Sequence, residues 1–407
     1  MNPAVLLLGT FDTKGEEYAF VREAILARGL AVVTMDLGVL GTGRTPRFPV
    51  DISAEQVAQA GGGSLGQLRA RRDRGSAVEV MLAGARLLTR ELYGEQRFSG
   101  VLGLGGGGGT TMITAAMREL PVGIPKVMVS TMASGDTAPY VGVKDITLMY
   151  SVVDIAGLNP LSRVILGNAA GAICGMLAPG APVEDRPTRP LIAATMFGVT
   201  TPCVTAARQR LEAAGYDVLV FHATGSGGRA MEGLIEDGYF AGVLDVTTTE
   251  WCDEVVGGVL SAGPERLSAA GRKGIPQVVS VGALDMVNFG PPESVPQRFR
   301  NRTLYRHNPA VTLMRTSAEE SRTVGRRIGE QLRRAAGPVV LCLPLRGVSM
   351  LDAEGQPFHD PQADRALFES LREHAGPGVQ IRELDLHLND EAFARALADE
   401  LLSLLRS

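Results

Sequence analysis

Two short segments and one longer interval of this 407-residue chain recur in the same order, and that repetition constrains the fold more than any other feature. Phe98-Ser-Gly-Val-Leu-Gly-Leu matches Phe240-Ala-Gly-Val-Leu-Asp-Val, and Gly123-Ile-Pro-Lys-Val-Met-Val-Ser matches Gly274-Ile-Pro-Gln-Val-Val-Ser-Val. The interval from Thr10 to Asp36 is echoed by that from Thr195 to His222. Apolar runs of strand length alternate with helical periodicity, as β-α-β units of a parallel sheet require. The first copy opens with a strand at Ala4 to Leu8, a helix from about Glu16 to Ala27 and a strand at Ala31 to Met35. Further strands fall at Gly100 to Leu104 and Lys126 to Ser130. The sequence therefore predicts an α/β protein of two Rossmann-like, doubly wound parallel-sheet lobes related by internal duplication. Chance likeness between unrelated strands is the alternative. In such sheets ligands bind beyond the carboxyl ends of the strands, so a cleft between the lobes is expected.

Four prolines between Pro179 and Pro190 cannot continue a helix or a central strand and set the boundary between lobes 1–180 and 190–407. The polar stretch 38–97 reads as an insertion, within which Ser76 and Glu79 stand at capping-box spacing before a helix to about Leu92. Asp390 to Leu405 reads as an amphipathic helix packed across a lobe. The balance of 40 Lys plus Arg against 44 Asp plus Glu gives no reason to expect nucleic acid or an anionic membrane as partner. Arg69, Arg71, Arg72 and Arg74, and again Arg298, Arg300, Arg302 and Arg306, form clusters that suit a solvated surface or contacts between subunits. The four cysteines are scattered, as in a reducing compartment. No signal peptide is recognisable and no apolar run reaches the roughly 18 residues of a membrane span, so a cytoplasmic location is expected.

Fifty glycines are concentrated where strands give way to helices. Gly105, Gly106, Gly107, Gly108 and Gly109 run without interruption before Thr110 and Thr111. At about 1 kcal/mol each relative to alanine, such a run is costly unless side chains must be absent. Exposed N–H groups at a helix start, with hydroxyls beside them, suit phosphate or carboxylate; a ligand-free tight turn is the alternative. The run completes neither a P-loop nor a dinucleotide fingerprint. The first strand-to-helix turn brings Gly9, Thr10, Asp12, Thr13 and Lys14 to the same edge. There Lys14 could pair with phosphate and Asp12 could hold a magnesium ion, unless Asp12 or Thr13 simply caps the helix. Asp36 stands where an acid often accepts from a ribose, and Ser134 and Gly135 lie in a hydroxyl-rich turn after a strand. The second copy offers Thr224, Gly225, Gly227 and Gly228 as another candidate cradle. His222, Asp245, Glu250, Asp285 and His307 are expected to gather at one mouth as a general acid/base set or, without any fixed ligand spacing to support it, a metal site, with a structural histidine the alternative for His222.

Taken in order, Gly-Thr-Phe-Asp-Thr-Lys-Gly (9 to 15), the glycine run with Thr-Thr (105 to 111), Val-Ser-Thr-Met-Ala-Ser-Gly (129 to 135), His-Ala-Thr-Gly-Ser-Gly-Gly (222 to 228), Asp-Met-Val-Asn-Phe-Gly (285 to 290) and His-Asn-Pro (307 to 309) carry a further signal. They resemble the tomato mosaic virus resistance protein-like ATP-binding domain family of bacterial and plant proteins, over essentially the whole chain. That resemblance implies ATP with Mg²⁺ as ligand, two Rossmann-like subdomains and a homodimer. The readings that follow are an ATP-binding protein acting on a small-molecule co-substrate as a ligase or kinase, a non-catalytic nucleotide-responsive sensor, and an ATP-independent hydrolase or lyase.

Overall fold

The computed structural model describes residues 4–39, 46–71, 73–178 and 189–406. Arg72 and most of the proline-rich boundary segment lie outside them. The chain divides into two compact units, Met1–Asp185 and Arg186–Ser407.

In the first unit the elements run β1 (Ala4–Gly9), α1 (Phe11–Leu26), β2 (Ala31–Asp36), α2 (Ala54–Ala60), α3 (Leu65–Arg71), α4 (Arg74–Gly94), β3 (Gly100–Gly105), α5 (Gly107–Met117), β4 (Lys126–Ser130), α6 (Ala138–Val141), β5 (Thr147–Tyr150) and α7 (Pro160–Leu177). The strands form a five-stranded parallel sheet in the order β2-β1-β3-β4-β5. Its strands are apolar on both faces because helices cover both. Leu6, Leu8, Val101 and Met128 face the α2 to α5 side, while Val5, Leu7, Leu102 and Val127 face α1 and α7.

The 38–97 stretch is more than an insertion, because its last helix, α4, makes the crossover from β2 to β3. That helix begins at Arg74 rather than near Ser76: Asp73 is its cap, the Oδ1 accepting from the backbone N–H of Gly75 at 3.0 Å and Ser76 at 3.4 Å. By length and apolar composition α7 is the single described helix that could cross a membrane. Here Leu166, Ala169, Ala170 and Ile173 pack it into the unit.

The second unit runs β6 (Leu191–Met196), α8 (Thr201–Ala213), β7 (Asp217–His222), α9 (Ser226–Glu236), β8 (Gly242–Thr247), α10 (Glu250–Val256), α11 (Ala269–Lys273), β9 (Gln277–Gly282), β10 (Met286–Phe289), β11 (Leu304–Asn308), β12 (Val311–Arg315), α12 (Ala318–Leu332), β13 (Val339–Pro344), α13 (Pro361–His374), β14 (Val379–Leu384) and α14 (Glu391–Leu404). Six parallel strands are ordered β7-β6-β8-β9-β13-β14. The first four repeat the order β2-β1-β3-β4, so the repetition in sequence is also one of topology. These are two Rossmann-like lobes with the strand order of the flavodoxin-like variant, which reverses direction beside the first strand of each. The carboxyl-terminal helix α14 buries Phe393, Leu397 and Leu401 against α8 and the sheet. An antiparallel sheet, β10-β12-β11, is added to this unit.

Candidate functional site

At the reversal point of the first sheet, β1 and β3 stay paired from Val5 and Gly100 to Leu8 and Gly103, then part. The gap is filled from α1 by Tyr18. Its hydroxyl accepts from Leu104 N–H at 2.8 Å and lies 2.7 Å from Leu8 O and 2.9 Å from Leu104 O, which share its one proton. Burial pushes this phenol far above its ordinary range. A Cβ on Gly9 would fall 1.8 Å from that oxygen, so Gly9 is required by Tyr18 and not by a ligand.

Above this floor lies a crevice of about 680 Å³, lined entirely by residues of the first unit. One wall is the first turn of α1, with Thr10, Asp12, Thr13 and Lys14; another is the start of α5, Gly106 to Gly109. Leu37, Val39, Leu68, Ala77, Val78 and Met112 supply an apolar side, and Arg69, Asp73 and Arg74 complete the lining. Helix α5 has no side-chain cap, so its first N–H groups and the positive end of its dipole are available to the crevice.

The glycines of this turn divide by cause. Gly105 is bare for packing, since its Cβ would stand 3.0 Å from Gly109 Cα. A Cβ on Gly106, Gly107 or Gly108 would meet nothing nearer than Thr131 Oγ1 at 3.7 Å, Met132 Sδ at 3.9 Å or Arg74 Nη2 at 3.6 Å, all ordinary contacts. None of the three has positive φ. Neither packing nor backbone conformation therefore demands glycine there.

Several expected ligand contacts are used internally. Thr110 is buried with its Oγ1 2.7 Å from Ser130 Oγ, and Thr111 donates to Gly107 O at 2.9 Å, so both hydroxyls turn into the fold. Asp36 accepts through Oδ1 from Phe11 N–H at 3.0 Å and Gly38 N–H at 2.8 Å; it ties the strand end to α1, while Leu37 and Val39 face the crevice. Burial raises its carboxyl above the usual range. Ser134 and Gly135 lie in an exposed turn outside the crevice lining. Thr10 and Thr13 join hydroxyls at 2.9 Å, Lys14 donates to Ile155 O, and the Asp12 carboxylate packs against Gly38. Arg69 and Arg74, from the cluster expected on a solvated surface or between subunits, join Lys14 as cations of the lining; Arg69 Nε is fixed by Val39 O at 2.9 Å.

The second unit differs at the equivalent point. Arg266, from the loop between α10 and α11, is only 1% exposed. It makes a bidentate pair with Asp245, with Nη2 to Oδ1 at 2.7 Å, and bonds Glu250 Oε2 at 2.6 Å and Glu232 Oε1 at 3.2 Å. Asp245 and Glu250 are thus internal ion-pair partners rather than acids at a mouth. Gly225 and Gly228 give their N–H groups to Glu250, a Cβ on Gly227 would fall 1.8 Å from His222 O, and Thr224 donates to His222 O, so this turn is occupied from within.

Asp285 is fully buried and accepts from Ser349 Oγ at 2.7 Å. Burial raises it, Asp352 and Asp364 around the single guanidinium of Arg315. His222 is exposed beside the Phe197 ring, and His307 is exposed on β11; among the described residues neither bonds any of these acids. The five acid/base candidates therefore do not form one constellation.

Fold and crevice together define a two-unit α/β protein, each unit built on a parallel sheet, with a polar and apolar crevice at the reversal point of the first sheet. The chain belongs to the uncharacterised protein family UPF0261, whose N-terminal domain matches residues 3–181 and C-terminal domain residues 189–405. It is 54% identical to a UPF0261 protein of Clostridium tetani over 100% of both chains. It is also 41% identical to the ToMV susceptible protein tm-1(GCR26) of Solanum lycopersicum and 40% identical to the ToMV resistance protein Tm-1(GCR237) of the same plant. Each alignment covers 99% of this chain and 56% of the tomato protein. Among solved structures, a thioesterase domain from the curacin biosynthetic pathway aligns with a TM-score of 0.26 at 12% identity, over 54% of this chain and 92% of that one, a likeness too slight to carry an argument.

Proposed function

We propose that the first unit binds ATP, with its phosphates against the start of α5 and its base against the apolar side of the crevice. The observation that carries this reading is the turn Gly106 to Gly108, whose missing side chains serve no neighbour among the described residues and no backbone requirement. A ligand lying against the backbone supplies the missing reason. The crevice volume of about 680 Å³ suits a nucleotide. Arg69 and Arg74 match phosphate charge, while Leu37, Val39 and Leu68 suit a base.

Among the described residues no cluster of three His, Cys, Asp or Glu could hold a metal. Mg²⁺ fits this site in its usual manner, through a single carboxylate, Asp12, together with phosphate oxygens. When bound it would screen phosphate charge. The chain's part is to position that charge, with the α5 amides and Arg69, held by Val39 O, as fixed donors and the exposed Arg74 as a further cation. Transfer from ATP to a small-molecule co-substrate, as in a ligase or kinase, is the activity such positioning serves.

Calorimetry of the full chain with ATP and Mg²⁺ tests this. Arg74→Ala should weaken binding by roughly 10-fold or more, the worth of a charge-assisted contact. Absence of ATP binding by the wild-type protein overturns the reading. Binding without turnover in the presence of cell metabolites favours the sensor over the enzyme.

A further inference from the structure

The register that equates Phe98 with Phe240 sets Gly108 opposite Glu250. Where the first unit has an open glycine at the start of α5, the second unit has a glutamate at the start of α10, and its carboxylate turns to the start of α9. Glu250 Oε1 accepts from Gly225 N–H at 2.7 Å and Gly228 N–H at 3.1 Å, at the start of the 11-residue helix α9. Its Oε2 accepts from Arg266 Nε at 2.6 Å, and the residue is 1% exposed. Two amides at a helix start and one guanidinium form the donor set of an anion site. The glycine here has a visible cause: a Cβ on Gly228 would lie 2.2 Å from Glu250 Oε2. At Gly106 to Gly108 no such internal partner exists among the described residues.

We infer that the second unit carries a carboxylate-binding site whose ligand is the chain's own Glu250, standing where Gly108 leaves room for an external anion in the first. The site is selective for a planar carboxylate, because its amides share one oxygen and Arg266 takes the other. Cutting the side chain back exposes the same donors to a small free carboxylate. Occupied as it is, the site admits no second nucleotide, so one ATP binds per chain.

The test is Glu250→Ala in the full chain, melted in rising formate or acetate and in matched chloride. In chloride its Tm should fall by about 10 °C, as when a buried ion-pair network loses one of its acids, Arg266 keeping Asp245 and Glu232 while the amides of Gly225 and Gly228 lose their acceptor. Formate or acetate should restore much of the loss in a saturable manner. An unchanged Tm, or an equal fall in carboxylate and chloride, overturns the inference. Glu250→Gln guards against a variant that does not fold: it keeps the oxygen facing the two amides and gives up the charge facing Arg266. It should fold with a Tm between those of the wild type and the alanine variant, and wild-type stability would count against the inference. Calorimetric stoichiometry separates this idea from the ATP reading. One ATP per chain supports both, two overturn the internal ligand alone, and none overturns the ATP reading while leaving carboxylate rescue to decide here.

Discussion

A methyl group added at Gly9 would fall 1.8 Å from the Tyr18 hydroxyl, whereas one added at Gly107 would find nothing nearer than Met132 Sδ at 3.9 Å. The two substitutions should therefore move stability in opposite directions. Gly9→Ala must displace Tyr18 from Leu8 O and from both backbone groups of Leu104, and a cost of about 2 to 4 kcal/mol follows from overpacking plus an unsatisfied buried group. Gly107→Ala puts a better helix former into the first turn of α5 and should raise stability by up to about 1 kcal/mol while weakening ATP. Urea denaturation of both variants, with calorimetry of the second, checks the pair; a Gly107→Ala protein that loses stability would show that the fold itself needs this glycine. Residue types alone do not separate the two cases. The glycine run was legible as unusual in sequence, but which glycines face open space depends on Tyr18, Arg74 and Met132, residues distant in the chain.

At the scale of elements, most of the parallel sheets could be read because their strands are buried on both faces and stand out as apolar runs. Helix α4 was legible in its extent and not in its start. Ser76 and Glu79 have the right spacing for a capping box, yet Asp73 takes the N–H groups of Gly75 and Ser76, and the helix begins one residue after it at Arg74. This cap also sets the residue that brings a cation to the crevice. Asp73→Ala should cost about 1 kcal/mol and weaken ATP as well, whereas Ser76→Ala should leave both within error, readable as Tm and calorimetric affinity. Equal effects of the two would restore the serine as the cap. The antiparallel sheet was not legible: Met286 to Phe289 is a four-residue stretch that reads as the loop after a strand, and Tyr305 to Asn308 is too polar to read as a strand. Arg266 was hidden for a related reason, since an arginine in a Gly- and Pro-bearing loop reads as solvated until its three acids are brought around it.

Over the whole molecule, ionisable groups are distributed unevenly between the two units, and pH should act mainly on the second. Burial raises Asp253 to about 7, with Glu250 nearby adding to the rise. Asp285, Asp352, Asp364 and Glu232 of the same unit are raised as well, again chiefly by burial. A carboxyl raised in the folded state binds its proton more tightly there than in the unfolded chain. Its stabilising contribution is complete below the ordinary carboxylate range and is lost as pH rises through the folded value. For Asp253 the loss accrues from the ordinary carboxylate range upward and levels off just above pH 7, and at roughly 1.4 kcal/mol per unit of displacement even part of it is large beside a typical total stability. In the first unit burial raises Asp36 alone among the carboxyl groups with a resolved shift, and Asp145 is shifted the other way, held low by Lys126, so fewer groups there lose stability as pH rises. The second unit should therefore unfold more readily at pH 8 than at pH 6, with the first unit changing less. Asp253 accepts from Asn288 N–H and Nδ2 at 2.7 Å each, while Asn288 Oδ1 is buried and has no hydrogen-bond partner among the described residues. A flipped Asn288 amide could accept from a protonated Asp253, or from the amide of an asparagine in its place. Asp253→Asn should then fold and flatten the slope of second-unit stability between pH 6 and pH 8. Hydrogen exchange resolved to the two units measures that slope directly, and an unchanged slope in the variant would remove Asp253 as its source.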